Sequence, residues 1–362
     1  MRTNLQIPTN QKSRCLIPPL QKEVPESGTL CERRGGGIGR RTGLKIPRWQ
    51  HHEGSMPSLG TMKRKLLVIV GPTAVGKSAL SVELARTYNG EIISADSRQI
   101  YTGLDIGTGK ITVEEMKGVP HHLIDVANPK KQFSVAEYQT LAREKMDDIF
   151  SRGNIPIICG GTGLYIDALL GKVVIPNVPP NPKLRKQLEK KSVIELFAML
   201  KRLDSRRAEG IDPHNPRRLI RAIEIAKALG TVPRYADILK NNSIDVEPLY
   251  VGLMLPSEVL RQRIHDRLLS RLDEGMLIEA TELHRKGLSW KRMEDLGLEY
   301  RYMSRHLRGL ISQEEMITQL QSEIWRYAKR QMTWFRRNTE IKWFLPKQTA
   351  DIERKVRNFL KS

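Results

Sequence analysis

Residues 65–78 read Lys65-Leu66-Leu67-Val68-Ile69-Val70-Gly71-Pro72-Thr73-Ala74-Val75-Gly76-Lys77-Ser78. An apolar run of strand length leads into the pattern G-x-x-x-x-G-K-S, and residues 79–85 continue with helical spacing, which is the context that a phosphate-binding loop requires. Two glycines allow backbone N–H groups to turn towards an anion, and the helix N-terminus adds a partial positive charge. Lys77 adds a mobile charge, and the Ser78 hydroxyl is a candidate Mg²⁺ ligand. The predicted phosphate contacts are Gly71, Pro72, Thr73, Ala74, Val75, Gly76, Lys77 and Ser78.

The composition restricts the class of partner. The 362 residues carry a formal charge of +21 and a pI near 10.0, which favours a polyanionic partner such as nucleic acid, or an anionic membrane surface. The sequence contains no run of eighteen apolar residues, so no bilayer-spanning segment is predicted. Three scattered cysteines are too few for a disulfide framework or a zinc site, and a cytoplasmic location is the expectation.

Residues 1–62 differ from the remainder of the chain. They combine basic residues, prolines and the glycine-rich stretch 33–41 without sustained periodicity, which predicts a basic disordered leader. The stretch has no apolar core of the kind found in secretory signals. The alternative is an over-long gene model, with Met56 or Met62 as the true start.

Further along the chain, strand-like and helix-like patterns alternate, which predicts an α/β fold with a parallel sheet flanked by helices, like that of the P-loop NTPases. A capping box at Ser134 and Glu137 opens one of these helices. Prolines from Pro176 onward mark a boundary. We therefore expect a first part of the core over 63–177, a small helical insert over 178–245, and a return to the core with basic C-terminal helices over 246–362.

Several polar residues follow predicted strands and so belong to the ligand-binding edge of the sheet. Asp96 comes directly after the strand 91–95 and is a candidate base or metal ligand, although a turn or N-cap role is more common for such an aspartate. The loop 105–110 contains two glycines, Thr108 and a lysine, which is a weak signal for phosphate contact. The adjacent His121 and His122 point to opposite faces of a strand, which favours structural roles over a metal site.

Two helical segments are strongly basic. Residues 212–221 open a helix with three arginines in five positions, although solvated charge explains such clusters equally well. In residues 324–337, basic side chains flank an apolar stripe that we expect to be core. Basic residues interleaved with aromatic ones suit an RNA backbone with bases available for stacking. The predicted stripe consists of Trp325, Ala328, Met332 and Phe335.

Read together, these motifs resemble the tRNA dimethylallyltransferase family, and the resemblance covers roughly residues 64–345. The matching stretches are G-P-T-A-V-G-K-S (71–78), D-S-R-Q-I-Y-T-G-L-D-I-G-T-G-K (96–110), G-G-T-G-L-Y (160–165), D-P-H-N-P-R-R-L-I-R-A-I-E (212–224) and Y-A-K-R-Q-M-T-W-F-R (327–336). One segment departs from the family pattern I-G-Y-[KR]-[EQ], since residues 296–301 read L-G-L-E-Y-R. We expect Gly297, Tyr300 and Arg301 to serve there instead.

The resemblance implies a reaction that moves a dimethylallyl group from its diphosphate to N6 of the adenosine 3′ of the anticodon in tRNA. It implies that Asp96 is the general base, that Lys77 and Thr108 are also catalytic, and that Mg²⁺ is the cofactor. The implied partners are a tRNA anticodon stem-loop and dimethylallyl diphosphate, without a membrane or an evident protein partner. The implied tRNA contacts are Asp96, Ser97, Arg98, Gln99, Thr162, Arg185, Arg217, Arg218, Leu219, Ile220, Arg221, Lys329, Arg330, Gln331, Thr333, Trp334 and Arg336.

Two other classes of protein carry similar loops. A P-loop kinase would use residues 71–78 on ATP, but the sequence lacks an apolar run followed by Asp-Glu, and a kinase has no use for the basic aromatic helix. An RNA-binding protein with a degenerate loop is the second alternative. The intact Lys77, Ser78 and Asp96 argue against it.

Overall fold

The computed structural model describes residues 63–233 and 244–362, and the expectations for residues 1–62 lie outside the described residues. The described strands form one parallel sheet in the order β3-β2-β4-β1-β5-β6. The strands are β1 (Arg64–Val70), β2 (Gly90–Ser94), β3 (His121–His122), β4 (Ile155–Gly160), β5 (Val246–Leu253) and β6 (Lys342–Phe344). The predicted α/β class with a parallel sheet is confirmed.

Strand β1 lies inside the sheet, between β4 and β5. Val68 is in register with Ile158 on one side and with Tyr250 on the other. A strand buried on both faces reads as a continuous apolar run, and residues 66–70 are almost entirely inaccessible to solvent. Because the strands are parallel, the loops that follow β1, β2 and β4 meet at one edge of the sheet.

Helices cover both faces of the sheet. The longer ones on either side of the insert are α1 (Lys77–Tyr88), α3 (Val135–Ser151), α9 (Ser257–Asp273), α10 (Met276–Arg285), α12 (Leu298–Leu307), α13 (Gln313–Phe335) and α14 (Thr349–Lys361). The short ones are α2 (Val113–Met116), α4 (Gly163–Leu169) and α11 (Trp290–Leu296). Alternate residues of β1 point to opposite faces, so Val68 packs in one apolar cluster with α3, α9 and α13, whereas Leu67 and Ile69 pack with α1 and α14.

Within the described residues, four helices form the insert between the two parts of the core. They are α5 (Pro182–Leu188), α6 (Val193–Leu203), α7 (Ser205–Glu209) and α8 (Pro216–Leu229). They surround a separate apolar cluster that contains Leu196, Leu219 and Ile223. Residues 234–243, near the expected end of the insert, lie outside the described residues.

Local sequence signals explain several helix boundaries. Ser134 and Glu137 form the predicted capping box at the start of α3. Asn215 caps α8, whose first residue Pro216 needs no hydrogen-bond donor there.

The apolar stripe of α13 differs from the prediction. Ala328 and Phe335 are buried as expected, but Trp325 and Met332 are only half-buried. The buried face instead passes through Gln331. A polar side chain on a buried face requires internal hydrogen bonds.

Within residues 63–233 and 244–362, no helix is long and apolar enough to cross a bilayer.

Candidate active site

The loop between β1 and α1 has the backbone conformation that its glycines predict. Gly76 has φ 103°, and Gly71 has φ 145° with its Cα so close to β5 that an added Cβ would lie 2.5 Å from the Leu253 carbonyl oxygen. Ala74 also adopts a positive φ of 62°, which is uncommon for a residue with a side chain. The loop therefore turns sharply and leads into the N-terminus of α1.

A cavity of about 330 Å³ opens at this edge of the sheet. Most of the predicted loop residues line it, whereas the Val75 side chain is buried in the core beside the sheet. Asp96, Gln99 and Thr108 line the same cavity. The structure thus brings together side chains from four segments that are distant in sequence. The predicted site residues that line the cavity are Thr73, Ala74, Gly76, Lys77, Ser78, Asp96, Gln99, Thr108 and Gln331.

Lys77 is the first charged group of this cavity. Its Nζ donates a hydrogen bond to the Pro72 carbonyl oxygen at 2.7 Å. Burial lowers the pKa of Lys77 to about 8, although the charges of Cys159 and Asp96 act in the opposite direction. The amine is therefore charged at neutral pH, but it carries a desolvation cost that a bound anion would offset.

Asp96 combines the turn role with a position in the cavity. Its Oδ1 accepts hydrogen bonds from the backbone N–H groups of Arg98 at 2.8 Å and Gln99 at 3.4 Å. These bonds fix the carboxylate, and within the described residues its other oxygen makes no hydrogen bond. The neighbouring Ser97 N–H donates to the Thr162 hydroxyl at 3.1 Å, which joins the loops after β2 and β4.

The loop 105–110 forms another wall of the cavity, and a residue outside the cavity lining holds it by hydrogen bonds. Three consecutive backbone N–H groups, from Asp105 to Gly107, donate to the Glu279 carboxylate at 2.6–3.0 Å. Tyr300 donates to the same carboxylate at 2.6 Å. Tyr300 belongs to the segment 296–301 that departs from the family pattern, and here it supports the loop that carries Thr108. The Thr108 hydroxyl itself donates to the Leu104 carbonyl oxygen at 2.6 Å.

The sequence analysis missed several residues that line the cavity. Arg263 and Arg267 on α9 face it, and Arg267 donates to the Gly109 carbonyl oxygen at 2.9 Å. Burial lowers the pKa of Arg267, and the like charge of Arg271 adds to this effect. The available signal was the four-residue spacing of Arg263, Arg267 and Arg271 along α9. The other missed residues include Glu115, His121, Cys159 and Tyr327.

The paired histidines have different environments. His122 forms a hydrogen bond with the Glu91 carboxylate at 2.7 Å, as the predicted structural role requires. His121 instead lines the cavity, with its Nδ1 2.8 Å from the Val119 carbonyl oxygen. Burial lowers the pKa of His121, which favours the neutral ring. In the described ranges, no group of three His, Cys, Asp or Glu residues could hold a metal ion.

Gln331 occupies a different place from that expected of a tRNA contact. It is 5 % exposed, its Oε1 accepts from the Thr73 N–H at 2.9 Å, and its Nε2 donates to the Gly161 carbonyl oxygen at 3.0 Å. The amide oxygen and the amide nitrogen therefore each bond to a different glycine-rich loop. A contact between Gln331 and tRNA stays a prediction, although in this conformation the side chain is buried between those loops.

Trp334 is also held by the protein. It is half-buried, its Nε1 donates to Asp167 at 2.9 Å, and the Arg337 guanidinium lies 4.1 Å from its ring centroid. These contacts fix the indole against α4. By contrast, the other predicted basic or polar residues of this region, Lys329, Arg330, Thr333 and Arg336, are exposed.

The predicted tRNA contacts that lie on the insert fall into three groups. The side chains of Leu219 and Ile220 are buried in its apolar cluster and offer little exposed surface to an RNA, and a tRNA contact at these two residues stays a prediction. Arg185 forms two hydrogen bonds with the buried Glu224, at 2.8 and 2.7 Å, and Arg221 also pairs with this carboxylate. Arg217 and Arg218 are exposed on the surface of α8. In the part of the insert that the structure describes, Arg217 and Arg218 have exposed side chains that form no ion pair, so they can meet a phosphate backbone without losing one.

Comparison with known proteins identifies the family of this chain. Residues 99–338 match the family described as IPP transferase. A tRNA dimethylallyltransferase of Treponema denticola is 44% identical over 288 residues, which cover 78% of this chain and 96% of that protein. A tRNA dimethylallyltransferase of Anoxybacillus flavithermus is 42% identical over 301 residues, which cover 83% of this chain and 96% of that one.

Solved structures are similar as well. The tRNA isopentenylpyrophosphate transferase of Bacillus halodurans has a TM-score of 0.62 and 38% identity, with 83% of this chain and 97% of that chain covered. A eukaryotic dimethylallyltransferase acting on tRNA has a TM-score of 0.64 and 29% identity, with 75% of this chain and 70% of that chain covered. The fold and these relatives define a transferase that modifies tRNA. The chain belongs to the IPP transferase family, and the predicted family is confirmed.

Proposed function

We propose that this protein transfers a dimethylallyl group from dimethylallyl diphosphate to N6 of the adenosine 3′ of the anticodon in tRNA. The observation that carries the proposal is that Lys77 and Asp96 line one cavity, so that a phosphate site and a carboxylate face the same space. The relatives named tRNA dimethylallyltransferase support this reading over the kinase and the non-catalytic RNA-binding protein. A tRNA substrate makes the cytoplasm the proposed location.

The residues of the cavity suit each part of the transfer. The diphosphate would lie on residues 71–78, where Lys77 and the N-terminus of α1 stabilise the charge that develops as it departs. The N6 nitrogen forms a bond to C1 of the allyl group while the bond from C1 to the diphosphate oxygen breaks. Asp96 takes the N6 proton, for which its second oxygen is available. Arg263 and Arg267 on α9 also line the cavity and add positive charge to it.

Magnesium fits the donor set of this cavity. Ser78 lines it with an exposed side chain, and Mg²⁺ prefers a few protein oxygens together with substrate phosphates over a cage of protein ligands. The ion would supply Lewis-acid stabilisation of the departing diphosphate. Ser78 would hold it, and Asp96 would remain free to accept the proton.

The acceptor adenine must leave the anticodon loop to reach Asp96. Enzymes that act on a base extrude it from the stack into a pocket. Exposed basic residues on two helices, Arg217 and Arg218 on α8 and Lys329 and Arg330 on α13, offer contacts to the RNA backbone. Thr162 and Gln99 lie beside Asp96 and would contact the flipped nucleotide.

The test is incubation of the purified protein with Mg²⁺, dimethylallyl diphosphate and unmodified tRNA, followed by nucleoside mass spectrometry. We expect dimethylallyl adenosine only when the allylic diphosphate is present. A parallel reaction replaces that diphosphate with ATP. Consumption of ATP without any modified adenosine would overturn the proposal and favour the kinase.

A further inference from the structure

Three isoleucines give the active-site cavity an apolar wall. Ile92, Ile111 and Ile124 all line it, and all three pack in the apolar cluster on the α1 side of the sheet. The remaining lining is largely polar or charged. A donor whose diphosphate lies on residues 71–78 would place its hydrocarbon tail where apolar area can be removed from water, which is at this wall.

A second cavity of about 720 Å³ lies next to the first, along α1. The two cavities share Ser78, Ala79, Ile111 and Glu115 as lining residues. Ile111 is the one large apolar side chain among these four, and it is 9% exposed. The outer cavity continues with Val82, which is buried in the same cluster, and with a charged rim. Ile111 therefore borders both the first cavity, as part of its apolar wall, and the space beyond it.

We propose that Ile111 limits the length of the allylic donor by closing the active-site cavity towards the outer cavity. This inference rests on the proposed function and concerns which donors that site accepts. The cavity of about 330 Å³ must hold the diphosphate, the dimethylallyl tail and the incoming adenine edge. A geranyl tail has a second five-carbon unit, and its path past the apolar wall leads into the Ile111 side chain.

Truncation of this side chain would join the two cavities. The chemistry would be unchanged: the C1–oxygen bond of geranyl diphosphate breaks, N6 bonds to C1, and Asp96 takes the proton. Discrimination by one methylene in an apolar pocket amounts to roughly 10–200-fold. We therefore expect Ile111→Ala to raise the ratio of kcat/KM for geranyl diphosphate to kcat/KM for dimethylallyl diphosphate by at least about tenfold.

The matched control is Ile124→Ala. Ile124 lines the first cavity but not the second, so this variant enlarges the wall without opening the passage. We expect the donor ratio of Ile124→Ala to stay within about threefold of the wild-type ratio, well under the tenfold step expected for Ile111→Ala. Ile111→Val removes one methyl group and keeps a β-branched side chain. It provides a milder variant that should shift the ratio in the same direction.

The experiment measures both donors with the same unmodified tRNA by nucleoside mass spectrometry, for the wild type and the three variants. Any of three outcomes would overturn the inference. The donor ratio could shift equally in Ile111→Ala and Ile124→Ala, or it could stay unchanged in both Ile111 variants. The third outcome is ready use of geranyl diphosphate by the wild type. Transfer from dimethylallyl diphosphate by the wild type keeps the proposed function intact in all three cases. Absence of that transfer would overturn the proposed function and the inference with it.

Discussion

The side chain of Gln331 accepts a hydrogen bond from the backbone N–H of Thr73, across 258 residues of sequence. The same amide donates to Gly161, so one side chain on α13 joins the two glycine-rich loops of the active site. A buried amide with both ends bonded fixes the positions of its partners, and its removal leaves buried polar groups unsatisfied. The shape of the phosphate-binding loop therefore depends on a helix near the other end of the chain.

Replacement of Gln331 tests this dependence. We expect Gln331→Leu to raise the KM for the diphosphate donor by about tenfold, because an unsatisfied buried group costs about 1–3 kcal/mol. The dissociation constant for tRNA, measured by filter binding without donor, should change little. Gln319→Leu, the same change at an exposed position on the same helix, is the control and should leave both values near those of the wild type. A large loss of tRNA affinity in Gln331→Leu would instead indicate that Gln331 contacts tRNA, as the family resemblance implies.

Asp96→Asn tests the proposed base. The amide keeps the acceptor oxygen that bonds the Arg98 N–H, so the loop should keep its shape. We expect tRNA affinity within a few-fold of wild type and turnover lower by about 10²–10⁴, the range of general-base contributions. Single-turnover measurements with saturating tRNA separate the two effects. Unchanged turnover would remove Asp96 from the proton transfer.

The pH dependence of donor use should report the charge of Lys77. Its pKa of about 8 in the free protein means that the amine is charged below this pH and neutral above it. We expect kcat/KM for the donor to fall as the pH rises through about 8. Lys77→Arg keeps its charge at all these pH values, so its lower activity should persist to higher pH. An identical alkaline fall in this variant would assign the titration to another group.

Arg218 and Arg185 provide a matched pair in the insert. Arg218 is exposed, and its guanidinium forms no ion pair with a described residue, so Arg218→Ala should weaken tRNA binding and lower its salt slope by about one. Arg185→Ala should mainly lower stability, by roughly 3 kcal/mol, because it leaves the buried Glu224 carboxylate without its bidentate partner. Binding titrations at several salt concentrations and thermal unfolding distinguish the two effects. A lower salt slope for Arg185→Ala alone would reverse the assignment.

Glu91 should contribute stability that depends on pH. Burial alone would raise the pKa of its carboxyl, but hydrogen bonds from Arg152 and its neighbours lower it from 4.5 to about 2. A lowered carboxyl pKa stabilises the fold above the unfolded value, and this contribution is lost as the pH falls from about 4.5 towards 2. We expect Glu91→Gln to lower the free energy of unfolding at pH 7 by about 3 kcal/mol. In urea titrations the difference from the wild type should shrink at pH 3, and a constant difference would contradict the ionic origin.

The sequence was sufficient for the parts of the site that rest on local pattern. Gly71 and Gly76 specify the loop formed by residues 71–78. Asp96 follows a predicted strand, and the alternation of strands and helices along the chain predicted that this strand belongs to a parallel sheet. The roles of Gln331 and Glu279 could not be inferred, because a polar residue on a helix gives no indication of which distant backbone groups it will meet. The burial of the Leu219 and Ile220 side chains could not be inferred either, because the motif 212–224 does not show which of its side chains pack inside the insert.

The order of the strands also determines when this site can form during synthesis. The strand that carries the phosphate-binding loop, β1, pairs on one side with residues 155–160 and on the other with residues 246–253, so its second neighbour is made only after the whole insert. Such long-range pairings close late and slowly. A nascent chain that stops before α13 lacks Gln331 as well. Ribosome-bound intermediates should therefore be unable to hold the donor until translation is almost complete.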